Sequence, residues 1–197
     1  MELDLSTTSY ALLGLLVFAD RHDETDGDPG LTGYELKQRS DYTLRFYWTS
    51  PAMSQIYTEL GRLDRRGLAE PVEAKKGRRT SRRYRITPQG RATLARWLRT
   101  SEPEFPILKH PVALRLMMGH ILGRDEVRAM LAAYAGRVRE RRGELQAVRD
   151  MLGDAREVRF PAMVADWGLS YYDSEAEIAE KLHGRLEDVD DADEEEA

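Results

Sequence analysis

Apolar residues recur along the chain at helical spacing in several separate stretches, which predicts a mainly helical protein. In Ser6–Ala19, residues Ala11, Leu12, Leu15, Leu16 and Phe18 repeat behind a Ser/Thr start, predicting a buried helix. Residues 20–30, DRHDETDGDPG, are polar with Gly and Pro and read as a loop. Thr32 can cap the short segment GYELKQRS, because Glu35 stands where a capping box needs a carboxylate. Tyr42–Trp48 is aromatic and fits either period. Ser50 as N-cap and Pro51 at the first helical position then open a helix that stops at Gly67. Within it Met53, Ile56, Leu60 and Leu63 share one face, and Ser54, Gln55, Thr58, Arg62 and Arg65 lie opposite. The strand-like pieces LAEPVEA and RRYRIT, separated by KKGRRTS, predict a β-hairpin with a basic turn. Thr87 and Pro88 start another helix, through Leu94 and Trp97 to Leu98.

Pro103, Pro106 and Pro111 mark a change of regime, placing a domain boundary near residue 101. Beyond it Val127, Leu131, Tyr134, Val138, Arg141, Leu145, Val148 and Leu152 form a heptad seam, as do Phe160, Val164, Trp167, Tyr171, Ser174 and Ile178 after a short GDA turn. The expectation is an antiparallel hairpin of two long helices. One hairpin cannot bury two seams, so the remainder requires a partner, most economically a second copy of the chain; closure onto the first domain is the alternative. Arg141 in the seam either pairs with a partner carboxylate and fixes register or binds an anionic effector.

Composition narrows the chemistry. The 197 residues contain no cysteine, which excludes disulfides, thiolate metal sites and a cysteine nucleophile. No apolar run is long enough to span a membrane, and Met1 is followed by Glu2 and Asp4 rather than a basic leader, so the expected setting is the cytoplasm, with no membrane partner. The net charge of −5 would argue against nucleic acid if it were evenly spread. It is not: residues 1–44 carry −6, residues 45–100 carry +10, residues 101–186 carry −1 and residues 187–197 carry −8. The expected organisation is a DNA-binding domain over 1–100, a helical dimerisation domain over 101–186, and an acidic disordered tail over 187–197.

Helix, helix, capped third helix and basic hairpin, in that order, describe a winged helix-turn-helix. The fold class expected is therefore mainly α with a small β-hairpin, a winged helix-turn-helix joined to a coiled-coil-like helical domain. Its third helix would enter a major groove with Ser50, Ser54, Gln55, Thr58 and Arg62; Gln55 suits adenine, and the hydroxyls suit phosphate. Tyr57 sits at the margin, either packed in the core or touching phosphate, and Tyr34 and Lys37 are candidate backbone contacts. In the wing Lys75, Lys76, Arg78, Arg79 and Arg82 face DNA, whereas Arg83 and Arg85 alternate with Tyr84 and Ile86 and can be simply a solvent face. Trp97, Trp167 and Tyr171 are candidates for holding a small aromatic or apolar effector, aromatic core being the alternative. Catalysis has little support. His22, His110, His120 and His183 match no metal spacing, the acidic loop fails the EF-hand template, and no cofactor is expected.

The segments YALLGLL, LTGYEL, WTSPAMSQIYTELGRLDRRGLAEP and GRRTSRRYRITPQGRATLARWL resemble the PadR family of transcriptional regulators over residues 8–100, and the second half resembles that family's longer C-terminal dimerisation domain. The resemblance implies a homodimer on double-stranded operator DNA, usually a repressor relieved by a small molecule. Two departures stand out: loop 20–30 is longer and more acidic than the family's tight connection, and Thr58 stands where proline is common. A different class of function, a protein-interaction adaptor without DNA binding, would use the acidic loop and tail on basic partners.

Overall fold

The computed structural model describes residues 5–22, 30–76, 79–103 and 109–188, and the chain divides into two units, residues 1–104 and 105–197. The first unit runs α1 (Thr7–His22), β1 (Leu31–Thr32), α2 (Gly33–Thr43), a 3-10 turn (Leu44–Phe46), α3 (Met53–Arg65), β2 (Ala69–Lys76), β3 (Arg79–Ile86) and α4 (Pro88–Thr100). The second contains α5 (Pro111–Met117), a 3-10 turn (Gly119–Ile121), α6 (Arg124–Leu152), a further 3-10 turn (Arg156–Val158) and α7 (Arg159–Asp188).

Helices α1, α2 and α3 meet around Leu12, Leu13, Leu16, Leu36, Ile56, Leu60 and Leu63, all fully buried. The core face of α1 is Ser9, Leu12, Leu13, Leu16 and Ala19; Phe18, expected inside, points outward because it falls on the far side of the helix from Leu12 and Leu16. Helix α3 closes with a Schellman motif. Gly67, at φ +66°, lets Leu68 N–H reach the Leu63 carbonyl at 2.9 Å while its own N–H reaches that of Asp64 at 2.9 Å.

The sheet has order β1-β3-β2 and is antiparallel, with Leu31 opposite Tyr84 and Ala69 opposite Ile86. Pairing of β2 with β3 continues to Lys76 opposite Arg79, so the hairpin is longer than the alternating segments indicated and takes in most of KKGRRTS. Pro71 is tolerated because β2 is an edge strand. Strand β1 was not expected, since two residues are too few to display a period.

The Thr32 capping box forms as expected. Thr32 Oγ1 accepts from Glu35 N at 3.1 Å, and Glu35 Oε2 accepts from Thr32 N at 2.7 Å. Arg83 joins it, donating to the Gly30 carbonyl at 2.8 and 3.0 Å and pairing with Glu35 at 3.2 Å. Partial burial pushes the Glu35 carboxyl up, but the bonds from Thr32 and the Arg83 guanidinium outweigh it and hold it below 4.5. A depressed carboxylate adds stability that is present above its unfolded value and is lost as pH falls through the folded one. Glu35→Gln is therefore expected to flatten the acid side of the first unit's stability profile, beginning near pH 4.5, in urea melts across pH. An unchanged profile would contradict this.

In the second unit α6 and α7 lie antiparallel, with Arg142–Asp173 at 2.8 Å and Arg149–Asp166 at 2.8 Å bridging them. Val127, Leu131, Ala135, Val138 and Leu145 of α6 are buried against Ala162, Ala165, Leu169, Ala176 and Ala179 of α7. This corrects the seam expected on α7. Phe160, Val164, Trp167, Tyr171 and Ile178 are exposed, because α7 carries two apolar stripes on opposite sides and turns the small one inward, where alanines let the helices approach closely. His110 ties α5 to the hairpin: Nδ1 accepts from Ala113 N at 3.0 Å, so the ring proton lies on Nε2, 2.9 Å from Glu175 Oε2. Tyr134 OH donates to the same oxygen at 2.7 Å. Desolvation and the neighbouring Glu175 charge push the Tyr134 hydroxyl upward.

Candidate nucleic-acid interface

The sequence places a helix start at Ser50, but α3 begins at Met53 with Ala52, which lacks a capping side chain, as N-cap. Ser50 does not cap it, although a serine before proline suits an N-cap, as Thr87 before Pro88 shows. Its hydroxyl instead donates to Asp41 Oδ1 at 2.6 Å and accepts from Lys37 Nζ at 3.1 Å, and Lys37 is ion-paired with Asp41. These bonds hold the Asp41 carboxyl below its usual range. Two candidate contacts, Lys37 and Ser50, are thus joined in a clasp between α2 and the approach to α3.

From Ala52 onward α3 is amphipathic. Ile56, Leu60 and Leu63 are buried, Ser54, Gln55, Tyr57, Thr58 and Arg65 are exposed, and Arg62 is half-buried at the edge. The structure thus brings Ser54, Gln55, Thr58 and Arg62 onto one helix surface, though several are already engaged. Gln55 Nε2 donates to Thr8 Oγ1 at 3.3 Å. Thr58 Oγ1 donates to the Ser54 carbonyl at 2.9 Å, so its hydroxyl must rotate before it can donate to a phosphate. Tyr57 is 53% exposed. Its ring covers Gly33, where a Cβ would come within 2.6 Å of Cε1. Tyr34 is also exposed and accepts from Gln38 Nε2 at 3.3 Å.

In the wing, Arg82 Nη2 pairs with Asp64 of α3 at 3.0 Å and the guanidinium lies 5.3 Å from the Tyr84 ring centre. Lys75, Lys76 and Arg79 occupy paired strand positions, and Arg78 lies outside the described residues. Arg83 is structural, as described above, and Arg85 pairs with Glu70 across the strands. The residue that sequence reasoning missed is Glu59, which is 6% exposed and accepts from Ser9 Oγ. A serine in an otherwise apolar buried face was the available signal.

The aromatic candidates separate by unit. Trp97 stacks on Tyr10 of α1 with centroids 4.4 Å apart and planes 9° from parallel, against the first unit's core. Trp167 and Tyr171 belong to α7, Trp167 being 76% exposed. Burial and the nearby Glu175 charge push the Tyr171 hydroxyl up. Among the described residues no group of three or more His, Asp or Glu is placed to hold a metal ion, and no helix is long and apolar enough to cross a membrane.

Comparison with known proteins places this arrangement. Residues 27–96 match the transcriptional regulator PadR-like family, and residues 108–187 match the virulence activator alpha C-terminal region. No protein of curated function matches significantly. Among solved structures, Bacillus subtilis PadR in complex with operator DNA is similar with a TM-score of 0.77 at 22% identity, over 92% of this chain and 99% of that one. A PadR-like regulator from Bacillus cereus has a TM-score of 0.74 at 17% identity, over 94% and 99%. The Vibrio cholerae virulence activator AphA has one of 0.68 at 16% identity, over 93% and 99%. The structural likenesses establish a winged-helix fold with a long helical C-terminal part, and residues 27–96, which hold α2, α3 and the wing, form a domain of the PadR-like family of transcriptional regulators.

Proposed function

We propose that the protein is a sequence-specific DNA-binding regulator that works as a homodimer, represses its target promoter and is relieved by a small aromatic or apolar effector. The observation that carries DNA binding is the exposed polar face of α3 beside a hairpin in the part of the chain that holds +10 of charge. Bacillus subtilis PadR has been solved with operator DNA, which supports the same use of the shared fold. That protein has also been solved with p-coumaric acid, which supports an effector of aromatic character.

The homodimer is supported by the stripe Phe160, Val164, Trp167, Tyr171 and Ile178 on α7, together with exposed Leu114, Met117 and Ile121 on and after α5. Within one unit this much apolar surface stays wet, whereas a second copy would cover it.

Binding to the gene's own upstream region is expected to be tight, selective and strongly salt-dependent, with the slope of log affinity against log salt increasing by about 0.9 for each phosphate contacted. Fluorescence anisotropy at a series of potassium chloride concentrations measures this. Absence of selective binding at low salt would overturn the reading.

A further inference from the structure

Glu59 is the only charged side chain among the described residues that is buried. It lies in α3, the helix assigned to DNA. A carboxylate removed from water is costly unless it is paired and hydrogen-bonded. Here two groups meet it. The fully buried Ser9 hydroxyl of α1 donates to Oε2, and Arg62 Nη1 lies 3.2 Å from Oε1 and 3.4 Å from Oε2.

Residues 55, 59 and 62 fall on one edge of α3 by helical spacing, and that edge faces the first turn of α1. Thr8 meets Gln55 there, and Ser9 meets Glu59. The Arg62 side chain is 40% exposed, so the guanidinium sits at the rim, anchored through Nη1 by a carboxylate that α1 itself fixes. A guanidinium has five N–H donors in a rigid fork, and this bond uses only the Nη1 end. Holding the fork before DNA arrives removes part of the ordering cost that a free arginine would meet on binding.

We propose that Glu59 is a positioning residue for DNA binding: its buried carboxylate, anchored by Ser9, holds the Arg62 guanidinium in the orientation that meets a backbone phosphate. The assignment rests on the DNA-binding function proposed above. It opposes simple electrostatics, and this opposition makes it testable. Removing a negative charge beside DNA should by itself tighten binding, whereas removing a positioning group should weaken it.

The test uses the full chain and a DNA fragment obtained by binding-site selection, comparing wild type, Glu59→Gln, Ser9→Ala, Arg62→Ala and the Glu59→Gln/Arg62→Ala double variant by anisotropy over a salt series, with thermal melts of each. Wild-type binding settles the underlying function separately from the variants. Glu59→Gln is expected to weaken binding by roughly tenfold, close to Arg62→Ala, with the double variant no weaker than Arg62→Ala alone. Glu59→Gln and Arg62→Ala should each reduce the salt slope by about 0.9 per protomer, a readout that a merely structural role would not move. Ser9→Ala keeps both charges and should weaken binding severalfold, so it reads the proposal even where Glu59→Gln folds poorly. Tighter or unchanged binding in Glu59→Gln, losses that add in the double variant, or wild-type affinity in Ser9→Ala would overturn it.

Discussion

Replacing Gly90 with alanine is expected to destabilise the first unit by about 3 kcal/mol or more, within the upper range for overpacking a filled site. Gly90 follows Thr87 and Pro88 in the first turn of α4, and its N–H is capped by Thr87 Oγ1 at 3.0 Å. A Cβ there would lie 2.0 Å from the Leu68 carbonyl oxygen and 2.8 Å from Ile86 Cγ1. Neither neighbour can yield cheaply. Leu68 is held by the Schellman bond to Leu63 and accepts from Thr87 N at 3.1 Å, and Ile86 is core. The substitution therefore has to pry α4 away from the junction between α3 and the hairpin. For a unit of this size the melting temperature should fall by on the order of 15 °C, measured by circular dichroism. Gly14→Ala in α1 is the control, since nothing lies within 4 Å of a Cβ there and helix propensity favours alanine. A Gly90→Ala protein that melts with wild type would show that the close packing of α4 on Leu68 is wrong.

Trp167→Glu is expected to turn the proposed dimer into monomers. Trp167 is 76% exposed in the single chain and sits mid-stripe between Val164 and Tyr171. A tryptophan buries roughly 200 Å² when covered, and in a two-fold interface the change occurs twice. At about 25 cal/mol per Å² the two rings account for up to about 10 kcal/mol, an upper figure because association restricts motion and side chains at the seam. A loss of even about 4 kcal/mol raises the dimer Kd about a thousandfold. Sedimentation equilibrium would show it directly, and affinity for a two-half-site operator should fall while the fold of each chain, read by thermal melting, is kept. The fold should survive because α7 packs on α6 through Ala162, Ala165 and Ala176 on the other side of the helix. A variant that remains dimeric would remove the stripe from the interface.

Much of the first unit was legible locally. Thr32 with Glu35, Gly67, and Thr87 with Pro88 are each recognised over four residues or fewer, because a cap is a bond between near neighbours in the chain. The polar face of α3 was legible for the same reason, since its periodicity is a property of one helix. Ser50 shows the limit of such rules: it has the right residue type before a proline, yet Lys37 and Asp41 compete for its hydroxyl from another helix.

What needed the tertiary structure was every choice between equivalent local options. Helix α7 has two apolar stripes, and only packing against α6 decided that the alanines go in and the aromatics out. Strand β1 exists because β3 is there to pair with it, not because Leu31 and Thr32 prefer to be extended. Arg82 and Arg83 are neighbours of the same charge, yet one turns to Asp64 and the other to Gly30 and Glu35, a division set by the alternating faces of a strand. Glu59 and Ser9 are 50 residues apart and meet only when α1 crosses α3. Most of the helices, the caps at Thr32 and Thr87 and the location of the positive charge were legible in the residues alone, because these depend on neighbours within a turn or on simple addition. Which face of each helix is covered, and which charged groups remain to meet a ligand, were decided by tertiary structure, because burial and ion pairing are contests among residues distant in the chain.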